Sequence, residues 1–163
     1  MKPLPLPRVV DAKSEPGAGE ALVVPSFERG AALLRGADGN LVRLSWEDED
    51  ARTDPERALA VGRYTLVGYR LLARDPEHET WHVSASAVKG VELDVQPGRT
   101  NTLEIDPTIQ IVARKQGEGL GVSVQGAGGA GLSIYAEGKR IPLGFRRLDA
   151  QGRTLAEGKI QYG

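Results

Sequence analysis

The sequence predicts an all-β fold, in which a β-sandwich is followed by a smaller β-sandwich unit. Short apolar runs recur along the chain at intervals of roughly 8–12 residues, and turn residues separate them. Residues 91–95 alternate strictly between apolar and polar side chains, which is the period of a half-buried strand. Asp38-Gly39 stands between two apolar runs and indicates a hairpin, because both central positions of such a turn require positive φ. We therefore expect little helix.

The predicted strands follow one another from Ala21 onward. In the first unit they cover residues 21–24, 31–34, 41–46, 62–73, 80–87, 91–95 and 101–105. In the second unit they cover residues 109–113, 119–124, 132–135, 143–148 and 154–162. A short helical turn is expected at residues 55–59, between an acidic loop and the next strand.

Three segments are predicted along the chain. Residues 1–20 are expected to be a flexible arm, because proline fixes φ and glycine frees the backbone. Residues 21–105 form a β-sandwich domain, and residues 106–163 form a second, smaller β domain packed on the first. The boundary is placed at Asp106-Pro107, because a residue before proline is disfavoured in the helical region and a new alternating set begins there.

The composition limits the classes of function. The 163 residues include 21 basic and 22 acidic ones, and this balance argues against nucleic acid or an anionic membrane as a partner. The absence of cysteine excludes disulfides, thiolate zinc sites and cysteine nucleophiles. No apolar run approaches the roughly 20 residues of a transmembrane helix. Residues 1–7 lack the apolar region of a signal peptide.

The two histidines of the sequence, His78 and His82, have the zinc-metalloprotease spacing His-Glu-x-x-His. On a helix, both imidazoles would share one face and bind zinc, with Glu79 beside them as the general base of a hydrolase. An acidic third ligand would then come from Glu92 or Glu104. This arrangement is the enzymatic alternative.

Residues 75–90, which contain this motif, carry signals for two conformations. Asp75 as the N-cap, Pro76 at the first position and Gly90 after the last turn are typical of a helix. Between them, apolar and polar side chains alternate with period two, which is typical of a strand. Residues four apart on a strand are separated by ~13 Å, whereas zinc–imidazole bonds are only ~2 Å long. The preferred interpretation is therefore a strand with Trp81 inward and His82 outward, without catalytic residue or metal ligand.

Two further motifs are interpreted as loops. Residues 126–131 fit the Gly-x-Gly-x-x-Gly pattern of dinucleotide sites, but a β-like run follows them where that site needs a helix. An acidic loop offers oxygen ligands for calcium without the spacing of a dedicated calcium loop, so a solvated loop is preferred and calcium is the alternative. The acidic residues are Glu47, Asp48, Glu49, Asp50 and Asp54.

Two segments resemble known β-sandwich families. Ala60-Val61-Gly62-Arg63-Tyr64-Thr65-Leu66 is similar to the Pro-Gly-x-Tyr-Thr-Leu strand start of transthyretin-like modules, the carboxypeptidase-regulatory and Cna-B-like β-sandwiches. Val61 stands where those modules usually have proline. Residues 145–158 are similar to the closing hairpin of many exported Ig-like modules. The resemblance implies a non-catalytic β-sandwich of a secreted or envelope protein, and it transfers no catalytic residue.

The expected function is that of a non-enzymatic binding or structural module of an exported or cell-envelope protein. Loops at the ends of the sandwich are expected to contact a protein or a glycan, since loops on a rigid scaffold commonly carry function. No cofactor is expected for this function. The competing hypothesis remains a zinc-dependent hydrolase that uses His78, Glu79 and His82.

Overall fold

The protein is built almost entirely of β-strands. The computed structural model describes residues 9–13, 15–48, 53–74, 80–117 and 119–159, and within these ranges the regular structure is fifteen strands and one short 3-10 turn. The predicted all-β class is therefore confirmed. The strands are β1 (Val9–Asp11), β2 (Glu20–Pro25), β3 (Gly30–Gly36), β4 (Leu41–Trp46), β5 (Arg57–Ala60), β6 (Gly62–Arg74), β7 (Thr80–Ser86), β8 (Glu92–Val95), β9 (Asn101–Leu103), β10 (Gln110–Gln116), β11 (Gly119–Gln125), β12 (Leu132–Ala136), β13 (Lys139–Arg140), β14 (Gly144–Leu148) and β15 (Thr154–Lys159).

The largest sheet has eight strands and is organised around the 13-residue strand β6. Its order is β1-β4-β3-β6-β7-β12-β13, and β8 also pairs with β6. Residues 62–65 of β6 pair with β8, and residues 68–74 pair with β7. Strands β8 and β7 therefore pair, one after the other, with successive parts of the same edge of β6. The predicted hairpin is also confirmed, because β3 and β4 are antiparallel around Asp38-Gly39, where Gly39 has a φ of 83°.

Three smaller sheets complete the fold. Strands β5-β2-β9 form a three-stranded sheet, and β10-β11 and β14-β15 are separate two-stranded hairpins. In the three-stranded sheet β2 and β9 are parallel, with Val23 opposite Asn101. Asn101 is buried, and its side-chain amide donates to the carbonyls of Leu22, Gln96 and Arg99. This buried amide is satisfied, as burial of a polar group requires.

The core is one buried cluster to which the eight-stranded sheet and the three-stranded sheet both contribute. Leu34, Leu44 and Leu66 point inward from the first, and Val23 and Leu103 belong to the same buried cluster from the second. Each of these side chains is at most 1% exposed, so the contact between the two sheets excludes water. Burial of such side chains contributes about 1.5–3 kcal/mol each to stability.

Trp46 closes the core at the end of β4. Its side chain is fully buried, and its Nε1 donates to the carbonyl oxygen of Pro55 at 2.5 Å. The ring of Phe27 meets the indole edge-on, with 5.5 Å between ring centroids. The indole therefore has both the apolar surroundings and the acceptor that a buried tryptophan needs.

One prediction about local structure was wrong, and the described part of the predicted arm contains a short strand. Within residues 1–20, the exposed strand β1 pairs in parallel with β4 so that Val10 lies opposite Val42. The helical turn predicted at residues 55–59 is replaced by β5, which pairs with β2. In both segments pairing with a distant strand decides the conformation, and Leu59 is buried by that pairing.

The eight-stranded sheet crosses the predicted domain boundary at Asp106. Strand β12 follows that boundary in sequence, yet it pairs with β7, with Ser133 opposite Ser84. The sheet thus contains strands from both predicted units, residues 21–105 and residues 106–163. Whether these units fold as separate domains stays a prediction.

Candidate functional site

Strand β7 contains the second half of the His-Glu-x-x-His motif. Residues 80–86 pair with β6 on one side and with β12 on the other, so the helix that the zinc hypothesis requires is not formed there. His78 and Glu79 lie outside the described residues. Glu92, in β8, and Glu104, after β9, are both exposed. Within the described ranges, no three histidine or acidic side chains come together to hold a metal.

His82 lies on the outer face of the eight-stranded sheet, as the alternation predicts. Its imidazole stacks on the ring of Tyr135 in β12, with 4.5 Å between centroids and 9° between planes. Burial, together with the positive charge of Arg70, lowers the pKa of His82 from its usual 6.5, and Glu47 opposes this effect. At neutral pH the imidazole is therefore an uncharged stacking partner of Tyr135.

The lowered pKa of His82 predicts a pH dependence of stability. The unfolded chain takes up the proton first, so stability is expected to fall as the pH drops below about 6.5 and until the lower folded-state pKa is passed. Thermal unfolding at several pH values between about 8 and 5 measures this. His82→Gln should lose less melting temperature across the range than the parent protein, since His78 and the carboxylates titrate in both. Equal losses in the two proteins would contradict the assignment.

The described part of the acidic loop is held by arginines. The Glu47 carboxylate lies 3.0 Å from Arg43 and 3.3 Å from Arg70, and Arg29 donates to its backbone carbonyl. Asp48 is exposed, while Glu49 and Asp50 lie outside the described residues. Two guanidinium groups thus compete with any cation for the Glu47 carboxylate. Calcium binding here remains an untested alternative.

The glycine-rich segment 126–131 is a tight loop between β11 and β12, as predicted. Its 3-10 turn spans Ala127–Gly129 and is followed by a strand, so it does not open the helix of a dinucleotide site. The backbone N–H of Ala127 donates to the buried Tyr69 hydroxyl at 3.1 Å. A Cβ at Gly126 would collide with that hydroxyl, and one at Gly128 would collide with Lys89. These glycines therefore allow close packing.

An apolar cleft of about 550 Å³ opens on the inner face of the eight-stranded sheet. Tyr69, Ala85 and Leu132 on this face are 5%, 8% and 3% exposed, respectively. In the adjacent row Leu71, Val83 and Ile134 lie side by side across β6, β7 and β12, and all three are only half-buried. The parts of the protein that bury the first row therefore do not extend over the second row, and the second row forms the floor of the cleft.

Trp81 forms part of the cleft wall, in the row beyond Val83. Its neighbours across the sheet are Ala73 on β6 and Ala136 on β12. Because both alanines are short, space remains beside the half-buried indole. The prediction that Trp81 points inward is correct, but it faces this cleft and not a closed core.

Two loop segments form the rim of the cleft. Residues 26–29 follow β2, and Pro107 and Ile109 follow β9. The two segments are tied together, because the N–H of Ile105 donates to the Ser26 hydroxyl at 2.9 Å. The Nε of Arg29 is buried at this rim and has no hydrogen-bond partner among the described residues. A buried donor without an acceptor is rare in proteins.

Sequence reasoning did not identify this cleft. Trp81 was assigned correctly to the inner face by the alternation around it. Phe27 and Arg29 lie in a loop without a recognisable motif, so no local pattern indicated their role. The sequence predicts a strand that begins at Ile109. The apolar side chain of this exposed residue is the one signal in this region for an apolar surface.

Comparison with known proteins gave no match: no family model, no curated protein and no solved structure matches this chain. The resemblance to transthyretin-like and Ig-like modules therefore stays a prediction. Within the described ranges, no helix has the length and apolar character needed to span a bilayer.

Proposed function

We propose that this chain is a non-enzymatic β-sandwich binding module of an exported or cell-envelope protein, and that its cleft receives an apolar group of a protein partner. The half-buried row Leu71, Val83 and Ile134, beside Trp81, carries the proposal. A concavity of this size with mostly apolar walls and a few polar groups is typical of a binding site. The exported location rests on the resemblance of residues 60–66 to modules of secreted proteins.

The chemistry of the cleft supports a protein group over a glycan. Apolar side chains gain about 25 cal/mol for each Å² that is removed from water. A sugar ring would bring many hydroxyl groups to walls that offer few polar partners. The imidazole of His82, the one histidine among the described residues, stacks on Tyr135, and the proposal assigns it no catalytic role.

Binding of the apolar dye 8-anilinonaphthalene-1-sulfonate tests the cleft. We expect an increase in dye fluorescence that saturates at one dye per chain. Ala73→Trp should abolish most of this increase, because Ala73 is exposed and lines the cleft, so that the new indole fills the space without disturbing the core.

The matched control is Ala156→Trp, which adds an indole at an exposed alanine on β15. This variant should bind the dye as the parent protein does. Dye binding that is absent, or that Ala73→Trp leaves unchanged, would refute the cleft as a binding site.

A further inference from the structure

We propose that β10 is the docking edge for an extended segment of a protein partner, and that this segment carries acidic residues followed by alternating apolar residues. The segment would add a strand to the β10-β11 hairpin and place its apolar end in the cleft. This inference rests on the proposed function, because it names the kind of partner that occupies the same cleft.

The geometry of β10 suits the addition of a strand. Its seven residues pair with β11 alone among the described strands, so its second edge presents unpaired backbone N–H and C=O groups. Residues 113–115 are exposed, and Ile111 is 72% exposed. Exposed edges of this kind accept extended peptides through main-chain hydrogen bonds, and pockets for alternate side chains add specificity.

The strand β10 continues directly from the cleft. Ile109 lines the cleft, is 46% exposed and immediately precedes β10. Because side chains two apart on an extended chain point the same way, Ile109, Ile111 and Ala113 form one apolar stripe that leads away from the cleft. A partner strand along β10 would place its own apolar side chains beside this stripe and end near Trp81.

The far end of β10 is positively charged. Arg114 and Lys115 are both exposed, and neither forms an ion pair with a carboxylate in the described part of the chain. A partner with acidic side chains at this end would therefore be attracted without displacing an existing pair. Antiparallel pairing is slightly more stable than parallel pairing, so the acidic residues come first in the partner segment and the apolar residues last.

A second copy of this chain fits the same edge less well. Strand β10 contains no acidic residue, so in a symmetric antiparallel pair of β10 strands Arg114 and Lys115 of each copy would lie opposite uncharged or basic residues of the other. The positive charges at the far end would therefore gain no partner. A separate segment with acidic and apolar ends matches both halves of the strand.

The test uses a labelled synthetic peptide with two glutamates at its N-terminal end, followed by alternating valine and threonine, and measures binding by fluorescence anisotropy. We expect saturable binding that weakens as salt is raised. A peptide with the same side chains but N-methylated at alternate residues should not bind, because it cannot complete the ladder of hydrogen bonds. Ile111→Lys should weaken binding about tenfold or more, which corresponds to ~1.4 kcal/mol.

Charge reversal at Arg114 and Lys115 provides the sharpest readout. The double variant Arg114→Glu, Lys115→Glu should bind the acidic peptide about tenfold more weakly, and it should regain affinity for a peptide with lysines in place of the glutamates. The matched control Arg147→Glu, Lys159→Glu makes the same change of net charge at exposed positions of the β14-β15 hairpin and should leave binding unchanged.

Four outcomes would overturn this inference: no binding of the peptide, equal binding of the N-methylated peptide, indifference to charge reversal, or a stable dimer of the free chain that depends on Ile111. If one of them occurs while the dye still binds in a manner sensitive to Ala73→Trp, strand addition fails and the cleft remains a binding site. Conversely, peptide binding that depends on the charges but ignores Ala73→Trp supports β10 as an edge and removes the cleft from the proposal.

Discussion

Replacing Trp46 with alanine is expected to lower the free energy of unfolding by about 3–5 kcal/mol. The indole is fully buried at the end of β4, touches Phe27 edge-on and donates to the carbonyl of Pro55. Truncation leaves a cavity that the two surrounding sheets cannot fill, together with a carbonyl oxygen that has lost its donor. Urea denaturation followed by circular dichroism measures the loss.

The second tryptophan provides a control within the same chain. Trp81 is only half-buried in the cleft, so Trp81→Ala removes fewer contacts than Trp46→Ala and leaves no closed cavity inside the core. Its cost is expected to be less than half that of Trp46→Ala. Equal costs for the two substitutions would show that the cleft is closed in solution and that the two tryptophans share one continuous core.

Replacing Gly128 with alanine is expected to cost about 2–5 kcal/mol. Gly128 has a φ of 62°, a conformation that costs a residue with a Cβ about 1–2 kcal/mol. The added methyl would also collide with the carbonyl oxygen of Lys89 and lie 2.9 Å from its backbone nitrogen, so the loop would have to move away from Val88. Backbone shifts of this kind typically cost about 1–3 kcal/mol more.

The neighbouring Gly129 separates these two contributions. Its φ of 68° is nearly the same, but a Cβ there would meet nothing closer than the side chain of Gln125 at 3.9 Å. Gly129→Ala should therefore cost only the backbone contribution, about 1–2 kcal/mol. The difference between the two variants in chemical denaturation measures how tightly the loop packs on Lys89. If the costs are equal, the loop does not pack closely there.

The parts of the fold that the sequence predicts well depend on local signals. The strand predicted at residues 41–46 coincides with β4, because its apolar residues and the preceding Asp38-Gly39 turn act within a few positions of each other. The short strands β1, β5 and β13 were missed, since three-residue or similarly short segments become strands through their partners and not through their own composition. The insertion of β12 beside β7 is likewise a property of the topology.

The candidate site shows the same division. Alternation predicts that Trp81 points inward and His82 outward. Over the described part of the His-Glu-x-x-His motif the chain is a strand, as the alternation predicts, and not the helix that a zinc site would need. The cleft was not predictable, because it exists where the covering layer stops short of Leu71 and Ile134. The extent of one layer over another depends on distances across the whole fold, which a single sequence does not encode in any local pattern.

The pairing of β2 with β9 determines when the protein can fold during its synthesis. In the three-stranded sheet Val23 pairs with Asn101, and in the eight-stranded sheet β7 pairs with β12. Both sheets therefore need residues that are translated long after the first strands. Contacts between positions this far apart form slowly, because the intervening chain loses entropy before they are made. At roughly 5–20 residues per second, the apolar face around Trp46 stays uncovered for several seconds on the ribosome. The first half of the chain therefore keeps apolar surface uncovered until β12 has emerged.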